Sequence, residues 1–97
     1  MSELVFDWDN QKARVNARKR GVSFEEAQTV FYDENARLRY NPDHSIDEKR
    51  YILLGISSAL RLLVVSHVYR EKKEVIRLIS ARQATKQEGQ QYRKFNL

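Results

Sequence analysis

The spacing of apolar residues changes period near residue 36 and divides the chain into a helical part and a sheet part. In the first part, Asp9 precedes "NQKARVNARKR" as an N-cap and Gly21 follows it as the C′ residue, which predicts a helix over 10–20. "SFEE" starts a second helix. Ser23 caps it, Glu26 completes a capping box, and Phe24, Ala27, Val30 and Phe31 recur at helical spacing, so one face is apolar. Ahead of both, "ELVF" (3–6) reads as a short optional strand.

From residue 36 the period is that of strands. "ARLRY" ends at the turn-forming "NPDHS". "RYILLGI" sets Arg50, Ile52, Leu54 and Ile56 on one face and Tyr51, Leu53 and Gly55 on the other. "SSA" is a turn, "LRLLVVSHVY" (60–69) is the most apolar run, and "VIRLISAR" (75–82) follows the charged connection "REKKE". Thr85 and Glu88 then form a second capping box, opening a helix that carries Tyr92 and Phe95. Short connections between successive strands favour antiparallel pairing. The expectation is an α+β fold: two N-terminal helices, a mainly antiparallel sheet of four or five strands, and a C-terminal helix. At this length, residues 1–97 form a single domain.

The last two strands, closed as a hairpin around residues 71–74, bring Arg70 opposite Val75, His67 opposite Leu78 and Leu63 opposite Arg82. In that register His67, Tyr69, Ser80 and Arg82 share one face. The connection has no Gly or Asn to set its turn type, and a one-residue slip exchanges Arg77 for Arg82.

Charge gives that patch meaning. Net charge is +5, but residues 1–48 hold 7 Lys/Arg against 10 Asp/Glu, and residues 49–97 hold 11 against 3. A basic half on an otherwise balanced domain points to a polyanion, most simply nucleic acid; its bland alternative is a solvated basic surface. Cysteine is absent, so neither a disulfide framework nor a thiolate metal site is expected. Two histidines without a close third ligand predict no metal site, and no cofactor is implied. No apolar run approaches the roughly 20 residues of a membrane helix, and "MSELVFDWDN" is not patterned as a signal peptide. A soluble cytoplasmic chain without membrane contact is expected.

A patch of histidine, tyrosine and arginine suits phosphodiester cleavage. A ribonuclease that uses the substrate's own 2′-hydroxyl as nucleophile needs a base, an acid and cations around the phosphorus. Histidine and tyrosine move protons, arginine grips phosphate bidentately, and tyrosine stacks on unpaired bases. None of these spacings is a strong motif alone.

Taken together, "FDWDNQKARVNARKRGVSFEEAQTVF", "NPDHSIDEKRYILLG", "RLLVVSHVYRE" and "IRLISARQATKQEGQQY" resemble, in this order, the BrnT family of type II toxins, over residues 6–92. The resemblance implies a compact RelE-like fold and a ribonuclease that stops translation. It also implies a BrnA-type antitoxin of the ribbon-helix-helix class, with which the toxin represses its own operon, so that operator DNA is met only through the antitoxin. The alternative is a catalytically silent module that binds RNA or the antitoxin.

Within this frame His67 is the candidate for proton transfer, helped by Tyr69, while Arg50 and Arg82 hold phosphate and complete the catalytic set. Arg70, Arg77, Lys72, Lys73 and His44 are the further candidate RNA contacts, His44 also standing as a reserve acid or base. The structural alternatives are a satisfied core histidine at 67, a turn anchor at 44, and pairing of Arg50 and Arg82 with an Asp or Glu of the acidic N-terminal half, such as Asp43 or Asp47.

Overall fold

The structure is a computed structural model that describes residues 3–44, 48–70, 72 and 74–95; the side chains of His44 and Phe95 are not described. Lys73 and Asp47, both named above, lie outside the described residues. The chain runs β1 (Val5–Asp7), α1 (Asn10–Arg20), α2 (Phe24–Thr29), a 3₁₀ turn (Val30–Tyr32), β2 (Arg37–Asn41), a second 3₁₀ turn (Pro42–His44), β3 (Arg50–Ile56), β4 (Leu62–Arg70), β5 (Val75–Gln83) and α3 (Lys86–Phe95). The five strands form one sheet in the order β1-β5-β4-β3-β2, antiparallel except for β1, which runs parallel to β5. The expected α+β architecture is the observed one, and the optional strand joins the sheet one to two residues later than its apolar letters suggest.

The caps act where the sequence places them. Asp9 accepts from the Lys12 amide at 3.0 Å, and Gly21 closes α1 in the left-handed region at φ 70°. Ser23 accepts from the Glu26 amide at 3.0 Å. The Glu26 carboxylate is turned away from its cap: it accepts from Ser57 Oγ at 2.6 Å and from Arg61 Nε at 2.9 Å, which ties α2 to the β3–β4 turn. The arginine's hydrogen bonds hold that carboxylate below the usual range despite partial burial. The second box is reciprocal, Glu88 accepting from the Thr85 amide at 2.8 Å and Thr85 Oγ1 from the Glu88 amide at 3.1 Å.

One face of the sheet carries the core. Leu53, Val65 and Ala81 are neighbours across three strands, as are Tyr51, His67 and Leu78, and α1, α2 and the first 3₁₀ turn pack over them. Val22, Phe24, Ala27 and Val30 supply the helical side of this core, all fully buried. Gly55 lies where that turn presses on β3. A Cβ at this position meets Val30 Cγ1 at 2.8 Å and Ala36 Cβ at 2.9 Å, so the residue is glycine for lack of room. Asp33 follows the turn and fastens α3: its carboxylate accepts from the Ile56 amide at 2.8 Å and from the Tyr92 hydroxyl at 2.7 Å.

Helix α1 is polar nearly all round, and what seats it is Asn16. The Asn16 side chain, 8% exposed, donates to the Ala81 carbonyl at 2.8 Å and to the Val22 carbonyl at 2.9 Å. It also accepts from the Ala81 amide at 3.0 Å. Since β1 reaches only Val75, Ile76 and Arg77, this primary amide stands in for a strand partner farther along β5.

Two stability predictions follow from these contacts. Asn16→Ala leaves the Ala81 amide and carbonyl with no partner in a buried place and costs about 1–3 kcal/mol in a denaturant titration. Gly55→Ala forces Val30 or Ala36 aside and costs a similar amount, on the order of 1–3 kcal/mol. Parent-like midpoints in either variant contradict the role given to that residue.

Candidate nucleic-acid interface

Helices α1 and α2 leave the sheet's other face uncovered, with α3 standing at its end beside Leu54 and Val64. The residues of that face follow from the register. Arg50, Val68 and Arg77 form one row across β3, β4 and β5. Ile52, Ser66 and Ser80 form the next row, and Leu54, Val64 and Arg82 the third. Strand β2 extends these rows with Asn41, Arg39 and Arg37. These rows place five arginines on one side of the sheet, with Arg70 beyond them at the end of β4, standing on a floor of Ile52, Leu54, Val64 and Val68.

Residue Ile79 makes this arrangement. The pairing steps from His67 opposite Leu78 to Ser66 opposite Ser80, so Ile79 has no opposite number and β5 bulges. Beyond the bulge the alternation inverts: Ala81 enters the core, and Ser80 and Arg82 turn to the open face. The expected pairing holds at Arg70 with Val75 and at His67 with Leu78, then fails, because Arg82 lies opposite Val64 and Leu63 opposite Gln83. His67 and Tyr69 therefore do not share a face with Ser80 and Arg82.

Two adjoining hollows open on the arginine face and share Ile52 and Val64. One, about 200 Å³, has Arg37, Arg39, Glu88 and Gln91 around its apolar floor. The other, about 210 Å³, is lined by Arg20, Asn41, Ser66, Ser80 and Arg82. Glu88 clasps Arg82 between them, accepting from Nη1 and Nη2 at 2.8 Å each. Those hydrogen bonds, outweighing desolvation, push the Glu88 carboxyl down to about 2, so it is charged at any ordinary pH and a poor proton acceptor. The same carboxylate caps α3, so this helix start and the Arg82 guanidinium are oriented by one group.

The remaining arginines are held at the rim. Arg77 is paired with Asp7 of β1, and Arg70 with Glu48 at 2.8 Å in the open. Lys72 is exposed on the β4–β5 connection with φ 59°. Arg82 pairs with an acid, as the bland alternative has it, but with Glu88 of α3 rather than an acid of the N-terminal half. Among the described residues no three His, Cys, Asp or Glu side chains gather as a metal site requires.

His67 lies on the covered face and is fully buried. Its Nδ1 is 3.1 Å from the Val65 carbonyl, which only accepts, so Nδ1 carries the proton; Nε2, 3.1 Å from the Tyr69 hydroxyl, accepts from it. Phe31 stands edge-on to the ring at 4.8 Å. Desolvation lowers its pKa to about 4, against a weaker pull upward from the Val65 carbonyl, so the imidazole is neutral. Both nitrogens are committed inside the protein. Burial also raises the Tyr69 phenol. Placing this histidine at the reacting phosphate, as the strand-face argument does, conflicts with that enclosure.

The family model of the ribonuclease toxin BrnT of type II toxin–antitoxin systems matches residues 8–88, most of the chain and every element from α1 to β5. The chain belongs to the BrnT family. The fold agrees: a similar solved structure is that of the Brucella abortus ribonuclease toxin BrnT, with a TM-score of 0.67 at 21% identity, over 87% of this chain and 100% of that one. Curated protein sequences give no match. The BrnT match begins at Trp8 and ends at Glu88, so the five arginines and the carboxylate that clasps Arg82 all fall inside it. No helix among the described residues is long and apolar enough to cross a membrane.

Sequence reasoning passed over Arg37, Arg39 and Glu88 as site residues. The alternation of "RLRY" along a strand was the available signal for the two arginines. For Glu88, the cap motif was visible but its second partner was not.

The neutral, buried His67 makes stability depend on pH. An unfolded imidazole binds a proton below about 6.5, whereas the folded one stays neutral down to about 4. The unfolded state therefore holds more protons in that window, and stability, complete above it, falls as pH drops through it. Between pH 7 and pH 5 the loss is on the order of 2 kcal/mol. Urea titrations at both values should show it in the parent, and His67→Gln should be less stable at pH 7 with a flatter profile. An equal slope in the two proteins removes His67 as its source.

Proposed function

We propose that this chain cleaves RNA as the toxin of a type II toxin–antitoxin pair and thereby stops translation. The observation that carries the reading is the arginine face: Arg37, Arg39, Arg50, Arg77 and Arg82 on one side of the sheet, around hollows with an apolar floor. Guanidinium groups grip phosphate bidentately, and the floor suits a ribose or base edge. Arg70 and Lys72 lie toward the β4–β5 end and extend the phosphate track, and Lys73 belongs to the same basic connection in sequence.

The chemistry is an in-line displacement. The 2′-oxygen forms a bond to the adjacent phosphorus as the bond from phosphorus to the 5′-oxygen breaks, leaving a cyclic phosphate and a 5′-hydroxyl. One proton leaves the 2′-hydroxyl and one reaches the departing oxygen. Arg82, fixed by Glu88, and Arg50 neutralise the charge that builds on the phosphorane. The role of proton transfer falls to His44 rather than to the enclosed His67. His44 takes the proton of the 2′-hydroxyl and gives one to the departing 5′-oxygen. The 3₁₀ turn that ends at His44 follows directly on Asn41 at the edge of one hollow. His67 instead fixes Tyr69 through its Nε2. A BrnA-type antitoxin with a ribbon-helix-helix region covers the arginine face in the neutralised pair, and contact with operator DNA comes through that antitoxin.

The test uses purified protein and single-stranded RNA with EDTA present. Cleavage should persist and leave a cyclic phosphate. His44→Ala should lower the rate about 10²–10⁴-fold without altering the fold. Arg82→Ala should weaken binding and rate, and RNA affinity should fall as salt rises. Cleavage by His44→Ala at the parent rate removes its assigned role; abolition by EDTA removes the metal-free mechanism; absence of growth arrest relieved by a neighbouring gene removes the toxin reading.

A further inference from the structure

The outer strand β2 has two unlike sides. Arg37 and Arg39 point to the open face, whereas Leu38 and Tyr40 point to the opposite one and remain 52% and 46% exposed. Leaving two large apolar side chains uncovered on a sheet edge is unfavourable unless something covers them or uses them.

Tyr40 does not stand alone. Its ring lies 5.6 Å from that of Tyr51, and Tyr51 lies 5.2 Å from Tyr69, whose hydroxyl is held by the buried His67. Three tyrosines thus form a ladder from the core to the edge, braced at its inner end by a hydrogen bond to a fully buried residue. A ring supported from behind loses little freedom when something stacks on its outer face. Arg39 is the next residue. It is exposed and has no acidic partner among the described residues. Successive residues of a strand are about 3.3 Å apart and point to opposite faces, so Arg39 and Tyr40 straddle the sheet edge.

We propose that Tyr40 is a stacking site for one unpaired base of single-stranded RNA, with the strand crossing the β2 edge and its phosphate held by Arg39. This rests on the RNA-cleaving function proposed above and adds a specific subsite to it. A cation on one side of an edge strand and an aromatic ring on the other match the phosphate and the base of an unpaired nucleotide that crosses that edge, whereas a peptide strand pairing with β2 gains nothing from two arginines along one side. The ladder also gives His67 a purpose, because its hydrogen bond to Tyr69 keeps the platform in place.

Binding is measured apart from cleavage with a short 2′-O-methyl oligoribonucleotide, which lacks the nucleophile. Tyr40→Ala should weaken its binding about 10–100-fold, while Tyr40→Phe, which keeps the ring, should bind like the parent. Each variant should stay folded, Tyr40→Phe melting like the parent and Tyr40→Ala losing only its ring contact with Tyr51. In a series with one abasic position moved along the oligonucleotide, one position should weaken the parent as much as Tyr40→Ala does. At that position the two losses should not add. A merely structural tyrosine gives no such coupling.

Parent-like binding by Tyr40→Ala, or losses that add at every position, overturns the stacking site while leaving the arginine face intact if Arg39→Ala still weakens binding. Tyr40→Ala that binds the oligonucleotide normally but fails to hold the protein encoded by the neighbouring gene assigns the edge to that protein instead. No binding by the parent overturns both this site and the RNA function.

Discussion

A single primary amide sets the geometry on which the candidate site depends. Where β1 stops, the outer edge of β5 needs a donor and an acceptor for Ala81, and Asn16 supplies both from α1. Holding Ala81 against the helix keeps its side chain in the core after the bulge at Ile79. Had β5 continued in regular alternation with Leu78, its residues Ser80 and Arg82 would face the core side. A charged guanidinium there has to be paired or expelled, since burying it alone is far costlier than one extra residue in a strand. The bulge and its clamp are therefore what make an arginine face possible.

That face illustrates how a small domain can gather several cations on one side of a sheet. Like charges crowded on one sheet repel each other, and the structure offsets part of this with Asp7 on Arg77 and Glu88 on Arg82. Exposed pairs of this kind contribute little to stability. Their value here is orientation: each carboxylate fixes one guanidinium on the face. Glu88 carries two tasks, because the cap of α3 and the clasp on Arg82 use the same oxygens.

The two faces are linked through the strands themselves. On the covered side a buried neutral imidazole organises Tyr69 and lies against Phe31; on the open side, Ser66 and Val68 flank the same residue along β4. Belonging to the BrnT family accounts for the toxin class, but not for why a histidine should be sealed in the middle of the sheet. The physical account is that its two nitrogens satisfy one backbone carbonyl and one phenol, which makes it a well-paired core residue.

Local chemistry was legible in the residues alone. Asp9, Gly21, Ser23 and the Thr85–Glu88 pair announce helix ends, and the alternation in "RYILLGI" assigns its two faces correctly, because caps and pleats act over at most a few residues. The basic C-terminal half pointed only to a polyanion; the resemblance to the family lay in the four segments quoted above, in their order over residues 6–92. What the sequence could not settle is everything that depends on pairing between distant segments. One unpaired residue at Ile79 moves Arg82 from the face of His67 to the opposite one, and strand register is a property of two chains of contacts rather than of either strand. Asn16 looks like one more solvated position on a polar helix until β5 lies beside it. The burial of His67 depends likewise on Phe31, brought over it from a turn 36 residues earlier. Only tertiary packing decides which polar groups are enclosed, because enclosure is the sum of neighbours that local sequence does not contain.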